Sequence, residues 1–187
     1  MTKGATGSRR LSVDDWIDAG FTLLADAGIE ALKLDRLCGH LGVTKGSFYW
    51  HFADMTAYRT ALARAWAELR DHDRSGFGEL SGLPPRERLA TMMATLRAER
   101  QRALERAMRE WARTDPAVAD SVRAADHTVV AAVRTAFQDA GFDPDEADMR
   151  AHATFAAGVG FLHLSDAPAD ARLAAQQERF LDVMLAR

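Results

Sequence analysis

The chain of 187 residues lacks features that mark several other classes of protein. It has one cysteine, which excludes a disulfide scaffold. It contains no apolar run of about 18 residues, the length needed to cross a membrane. Residues 1–10 are small, polar and basic and do not form a signal-peptide core. We therefore expect a cytoplasmic protein. The formal net charge of −3 shows no overall excess of basic residues. A positively charged surface that binds a polyanion must therefore be confined to one part of the chain.

What the sequence has in abundance is helical periodicity. Hydrophobic residues make up 48% of the chain, enough for one small module and one larger core. Strand patterns are absent. Beyond the first 53 residues, helices are predicted over about 54–74, 85–99, 101–113, 116–140, 144–165 and 169–186. Turn residues from Ser75 to Gly78 and from Gly82 to Pro85 predict the clearest break in the chain.

Residues 34–52 predict two short helices joined by a tight turn. The first helix has one apolar stripe at helical spacing, formed by Leu34, Leu37, Cys38 and Leu41. On such a stripe we expect Cys38 to be a buried thiol and neither a redox group nor a metal ligand. Gly42 supplies the left-handed backbone that ends this helix, and the Thr44 hydroxyl can cap the next one. This arrangement predicts a helix-turn-helix.

The second of these helices has an inward and an outward side. Phe48 and Phe52 point one way at about 100° per residue, and the opposite arc carries a cation, a glycine and two aromatic rings. A helix start also favours anions through its dipole. The residues expected to meet phosphates and base edges are Thr44, Lys45, Gly46, Ser47, Tyr49, Trp50 and His51. Arg9 and Arg10 form either a basic arm on DNA or a solvated tail.

Residues 11–66 resemble the N-terminal domain of TetR/AcrR-type transcriptional regulators. The resemblance begins with a helix that Ser12 caps and that carries Trp16, Gly20 and Phe21, and it ends in the run from Gly46 to Phe52. Two positions depart from the family pattern. Lys33 stands where a Ser or Thr usually caps the second helix, and Met55 stands where a lysine commonly contacts phosphate.

The resemblance implies an all-α protein with two domains. Residues 1–53 would form a three-helix helix-turn-helix DNA-binding domain, and residues 54–187 a helical bundle that binds an effector and dimerises. A long helix from Asp54 would link them. The implied effector cavity suits an apolar or aromatic molecule, and its expected residues are Trp66, Met92, Met93, Trp111, His127 and Phe155.

The last two predicted helices are candidates for a dimer interface. Small residues allow another helix to approach closely, and the final helix offers an apolar stripe. The expected interface residues are Ala153, Ala157, Gly160, Leu173, Phe180, Leu181 and Met184. Packing within one chain is the alternative for the same residues.

These patterns and the family resemblance together lead us to expect a homodimeric repressor that a small molecule releases from an inverted-repeat DNA operator. Two alternatives remain open: a helical ligand-binding or enzymatic protein that uses its N-terminal module for interactions, and a constitutive DNA-binding regulator without an effector. Ser121, Asp126 and His127 are neighbours but lack a nucleophile elbow. The histidines lack metal-ligand spacing. We therefore expect no enzyme, no metal and no cofactor.

Overall fold

The computed structural model describes residues 11–94, 99–164 and 171–186, and for residues 71–79, 164 and 171–173 it describes the backbone alone. All regular structure in these ranges is helical, which confirms the all-α prediction. The α-helices are α1 (Val13–Ala27), α2 (Leu34–Leu41), α3 (Lys45–Tyr49), α4 (Met55–Glu79), α5 (Pro85–Ala94), α6 (Glu99–Trp111), α7 (Pro116–Asp139), α8 (Pro144–Leu164) and α9 (Ala171–Leu185). Short 3-10 turns lie at Ile29–Ala31 and Leu80–Gly82.

Helix α1 begins with a reciprocal cap. The Asp15 backbone N–H donates to Ser12 Oγ at 3.2 Å, and the Ser12 backbone N–H donates to Asp15 Oδ2 at 2.7 Å. The cap satisfies two N–H groups that the helix cannot pair itself, and the carboxylate complements the helix dipole. The expected role of Ser12 is confirmed.

The first core joins α1, α2, α3 and α4 to α6 and the start of α7. Its large buried members are Trp16, Phe21, Leu24, Leu37, Phe48, Phe52, Tyr58, Leu62, Trp66, Leu104, Met108 and Trp111. The predicted division after residue 53 therefore does not coincide with a gap in packing. Residues on both sides of it bury one another, and the division remains a proposal about function.

A close approach between α1 and α4 requires a glycine. A Cβ on Gly20 would lie 2.1 Å from Tyr58 Oη and 3.0 Å from two Leu62 methyls. Tyr58 uses this space to donate its hydroxyl hydrogen bond to the Trp16 carbonyl at 2.9 Å. Burial raises the pKa of Tyr58. The missing side chain at residue 20 thus fixes the crossing of α1 and α4.

The second core joins α5, α7, α8 and α9. Its buried members include Leu89, Val130, Val133, Phe137, Ala147, Ala151 and Leu181. At its edge the buried Arg88 donates to Asp139 Oδ2 at 2.6 Å, tying α5 to the end of α7. Gly141, with φ 90°, turns the chain from α7 toward α8.

One predicted break was wrong. Residues 75–78 do not end α4, which continues to Glu79. A glycine inside a helix costs only about 1 kcal/mol relative to alanine, and neighbouring turns of a 25-residue helix can offset this cost. The second predicted break is confirmed: a 3-10 turn at Leu80–Gly82 precedes α5, which begins at Pro85.

Candidate nucleic-acid interface and cavity

The turn between α2 and α3 has the geometry of a helix-turn-helix. Gly42 adopts φ 67° and ψ 32°, the left-handed conformation that favours glycine. The Val43 N–H donates to the Cys38 carbonyl at 3.0 Å and so closes the end of α2. Cys38 is buried, and burial raises the pKa of its thiol.

Aromatic packing fixes the inner side of α3. The Phe48 ring is buried and meets Trp16 edge-on with ring centroids 5.4 Å apart. It also lies 5.7 Å from the Tyr58 ring, while Phe52 lies 5.0 Å from Tyr58. Such edge-to-face pairs are favourable geometries for buried rings. The expected inward direction of Phe48 and Phe52 is confirmed, and α3 is anchored to both α1 and α4.

The outer side of α3 is open to solvent. Tyr49 is 58% exposed and Trp50 is 75% exposed. Lys45 and Gly46 are exposed beside them, while Ser47 and His51 are half-buried at the sides. We call Lys45, Gly46, Tyr49 and Trp50 the α3 face. Arg9 and Arg10 lie outside the described residues.

The expected hydrogen bond of the Thr44 cap was wrong. Thr44 occupies the N-cap position with extended backbone (φ −85°, ψ 161°), but its side chain makes no capping hydrogen bond. Thr44 is exposed, so water can serve the first N–H groups of this five-residue helix in place of the hydroxyl.

Nothing among the described residues requires glycine at position 46. Gly46 lies in α3 without a positive φ, and an added Cβ would meet only Thr44 Oγ1, at an ordinary contact distance of 3.6 Å. Glycine is a poor helix former because it loses more conformational entropy than other residues. Gly46 therefore lowers the helical stability of α3 at the centre of the α3 face.

The lysine of the α3 face is held by an acid of α2. Lys45 Nζ lies 2.7 Å from Asp35 Oδ1, and both side chains are exposed. The hydrogen bond to Asp35 raises the pKa of Lys45. An exposed ion pair of this kind contributes little to stability, so Lys45 can leave Asp35 for another anion.

A cavity of about 90 Å³ lies among α5, α6, α7, α8 and α9. Three of the six residues expected there do line it: Met92 and Met93 on α5 and Phe155 on α8. Further apolar lining residues are Leu89, Ala125, Val129, Val133, Gly158, Val159, Phe161 and Leu162. Helix α4 contributes Arg70.

The other three expected cavity residues lie elsewhere. Trp66 and Trp111 are buried in the first core, because the apolar side of α4 and one side of α6 face α1. His127 lies on the exposed side of α7. Bulk and residue type were therefore insufficient to separate a cavity wall from a packed core.

One side of the cavity is polar, a feature that the sequence analysis missed. Its members, which we call the polar wall, are Arg102, Glu105 and Arg109 on α6, Asp126 on α7 and Thr154 on α8. The three α6 residues follow at i, i+3 and i+7 and so share one helix face. This spacing could have indicated that the three side chains face the same site. Charged residues on a helix normally face solvent, so the spacing alone did not predict a cavity wall.

Arg109 is the centre of the polar wall. It donates to Asp126 through two nitrogens at 3.1 and 2.7 Å and to Glu105 Oε1 at 3.0 Å. Burial lowers the pKa of Arg109, but hydrogen bonds and charges from Asp126 and Glu105 outweigh this effect and raise it overall. The guanidinium is therefore charged and locked in orientation.

The residues expected in a dimer interface differ in burial. Ala153 is exposed, while Ala157, Gly160 and Phe180 are half-buried. Leu181 is buried in the chain's own second core, and half-buried Met184 packs against that core. The prediction of Leu181 as an interface residue was therefore wrong, because a side chain already buried has no surface to offer. The Leu173 side chain lies outside the described part of the structure.

Two exposed apolar side chains near these residues were missed. Val183 on α9 is 70% exposed, and Met149 on α8 is also exposed. Met149, Ala153, Ala156 and Gly160 recur at helical spacing on α8, and each is exposed or half-buried.

Across the described helices, none is long and apolar enough to cross a membrane.

Comparison with solved structures relates the whole fold to known regulators. A transcriptional regulator from Rhodococcus sp. Rha1 is 22% identical, with 94% of each chain covered and a TM-score of 0.73. GusR of Salmonella enterica is also 22% identical, with 97% of this chain and 99% of that chain covered and a TM-score of 0.69. A TetR transcriptional regulator from Legionella pneumophila is 14% identical over the full length of both chains, with a TM-score of 0.76.

Sequence comparison identifies the N-terminal helices. No curated protein matches the chain. The family model described as bacterial regulatory proteins, tetR family, matches residues 17–58, which span most of α1, the helix-turn-helix and the start of α4. Residues 17–58 are therefore similar to the N-terminal domain of the tetR family of bacterial regulatory proteins, and the chain shares the all-α fold of the solved regulators.

Proposed function

We propose that this protein is a cytoplasmic, homodimeric repressor that binds a DNA operator through its α3 face and leaves the operator when a small molecule enters the cavity. The observation that carries the DNA-binding part is the α3 face itself. It presents two exposed aromatic rings, a lysine and an unexplained glycine on a helix whose other side is locked in a core. The relatives named as transcriptional regulators support the same role.

The α3 face has the chemistry to recognise DNA. Lys45 can bind a phosphate or the acceptor edge of guanine, and the Tyr49 hydroxyl can exchange hydrogen bonds with phosphate or bases. Gly46 permits the helix backbone to approach the duplex closely. A helix of five residues contacts few bases, so two copies are needed for a specific site. Their half-sites would lie about 34–36 Å apart or at a related spacing.

The dimer would form through what we call the α8–α9 face. On α8 it comprises Met149, Ala153, Ala156 and Gly160, and on α9 it comprises Phe180 and Val183. Small residues on α8 allow a second helix to approach closely, and the exposed Val183 supplies apolar area. This assignment keeps three of the originally expected residues, Ala153, Gly160 and Phe180, and replaces the buried Leu181 with Val183.

Helix α6 offers a route between cavity and DNA. One side carries Glu105 and Arg109 into the polar wall, and the other places Met108 in the first core. Arg100 at its start donates to Thr22 of α1 at 2.9 Å. A ligand that binds better when α6 is displaced would shift the population away from the DNA-binding arrangement. A coupling of about 1–3 kcal/mol changes DNA affinity by roughly 5- to 150-fold.

Replacing Gly46 by alanine should separate folding from DNA binding. The free energy of unfolding should rise by up to about 1 kcal/mol, because alanine is the better helix former and its Cβ has room. Affinity for a duplex that the wild-type protein selects from a randomised pool should nevertheless fall about tenfold or more. Thermal denaturation and fluorescence anisotropy measure the two effects.

Gly39→Ala is the matched control, because Gly39 is an exposed residue of α2 with nothing within 4 Å of its added Cβ. It should raise stability and leave DNA affinity unchanged. A Gly46→Ala protein that binds DNA as well as the parent would mean that the α3 backbone does not approach the duplex.

The Lys45–Asp35 pair should govern the salt dependence of binding. Lys45→Gln should reduce the slope of log affinity against log salt by about 1.8, because the dimer loses two phosphate contacts and each contributes about 0.9. Asp35→Asn should strengthen binding, because it releases Lys45 and removes a negative charge. Asp120→Asn is the control, since Asp120 forms an exposed ion pair with Arg123 on α7. Equal slopes for wild type and Lys45→Gln would contradict the phosphate contact.

A charge on the α8–α9 face should dissociate the dimer without unfolding the chain. Val183→Asp places a carboxylate on a side chain that the monomer leaves exposed, so helicity should persist, while a buried unpaired charge should disfavour association. Sedimentation velocity should show monomer for Val183→Asp and dimer for Leu83→Asp, an exposed leucine outside this face. A Val183→Asp protein that sediments as the wild-type dimer would place the interface elsewhere.

A further inference from the structure

The polar wall contains hydrogen-bonding atoms that the chain does not satisfy. Glu105 and Thr154 are 4% and 5% exposed. Glu105 Oε2, Thr154 Oγ1 and Arg109 Nε are buried and have no hydrogen-bond partner among the described residues. Buried polar atoms are normally paired, and exceptions need an explanation. These three atoms belong to residues that line the same cavity.

The three atoms define what a partner must offer. The carboxylate oxygen Glu105 Oε2 needs a donor, and Arg109 Nε–H needs an acceptor. The Thr154 hydroxyl can donate or accept. One hydroxyl group on a ligand has both capacities, because it can donate to Glu105 and accept from Thr154 or Arg109.

Charges in the wall disfavour a charged ligand of either sign. Arg102 and Arg109 stand beside Glu105 and Asp126, so a carboxylate would meet like charges and an ammonium would too. A carboxylate also has no hydrogen to give to Glu105 Oε2. Arg70 adds one half-buried cation to the lining, which makes an anionic ligand the competing outcome to be tested.

The remainder of the cavity limits the size of the ligand. Leu89, Met92, Met93, Val133 and Phe155 provide apolar lining in the same cavity. The volume of about 90 Å³ is below that of an engineered cavity of about 150 Å³ that binds benzene. The apolar body of a ligand should therefore be no larger than one ring.

We infer that the cavity selects an uncharged small alcohol or phenol whose hydroxyl donates to Glu105 Oε2 and accepts from Thr154 Oγ1 or Arg109 Nε, while its apolar body contacts the methionines of α5. This inference deepens the proposed function. It depends on the proposed function only for the assumption that the cavity is the effector site. The binding chemistry itself is independent of DNA.

Four one-ring probes test the inference on the full chain without DNA: phenol, benzene, benzoate and benzylamine at pH 7. Isothermal titration calorimetry and thermal shift should show phenol binding about tenfold or more tightly than the other three, because a site built for a hydroxyl leaves polar atoms unpaired when the hydroxyl is missing. Equal binding of phenol and benzene would overturn the inference. Tightest binding of benzoate, or no binding of any probe, would also overturn it.

Thr154→Val supplies a second readout. Removing an unpaired buried hydroxyl should raise the melting temperature of the free protein, and the preference for phenol over benzene should fall about 5- to 10-fold. Thr128→Val is the control, because Thr128 is exposed on α7 and its hydroxyl donates to the Ala124 carbonyl. It should not change the preference. An unchanged preference in Thr154→Val, with Glu105→Gln also unchanged, would contradict the assigned contacts.

DNA release is measured separately, by anisotropy of the selected duplex with added phenol. Release by phenol supports both proposals. Tight phenol binding without release leaves the inferred ligand chemistry intact and contradicts the effector part of the proposed function.

Discussion

The contact between α1 and α4 at Gly20 is the constraint on which the position of the α3 face depends. The absent Cβ lets Tyr58 reach the Trp16 carbonyl, and Phe48 of α3 then packs between the Trp16 and Tyr58 rings. Because Phe48 is held on two sides, α3 has no freedom to rotate about its own axis. The packing of Phe48 therefore also fixes the direction in which the exposed Tyr49 and Trp50 side chains point.

The same core extends to the part of the chain that holds the cavity. Leu104, Met108 and Trp111 of α6 are buried with Trp16 and Trp66, while Glu105 and Arg109 on the same helix line the cavity. A helix that contributes to both environments cannot shift in one without disturbing the other, since protein interiors are closely packed. We therefore regard α6, in addition to the long helix α4, as the structural connection between the cavity and the α3 face.

The N-terminal helices were predictable because local signals determine them. The Ser12 cap and the left-handed Gly42 depend on neighbours within a few residues, and the inward direction of Phe48 follows from the helical period. The cavity depends on how distant helices meet, so bulk and aromatic character place Trp66 and Trp111 in it wrongly, and residue type gives no reason to place the charged Glu105 there. Leu181 was misplaced for a similar reason: periodicity indicates an apolar stripe but does not say whether the chain itself or a second copy covers it.

Helices α1 and α6 share the first core, and hydrogen exchange of Met108→Ala tests whether they open as one cooperative unit. Truncating this buried side chain leaves a cavity in the first core and should destabilise it by about 2–5 kcal/mol. The account predicts that the amides of α1 and α6 lose protection by the same free energy of opening. Faster exchange in α6 with wild-type protection in α1 would contradict the account, because the two helices would then open independently.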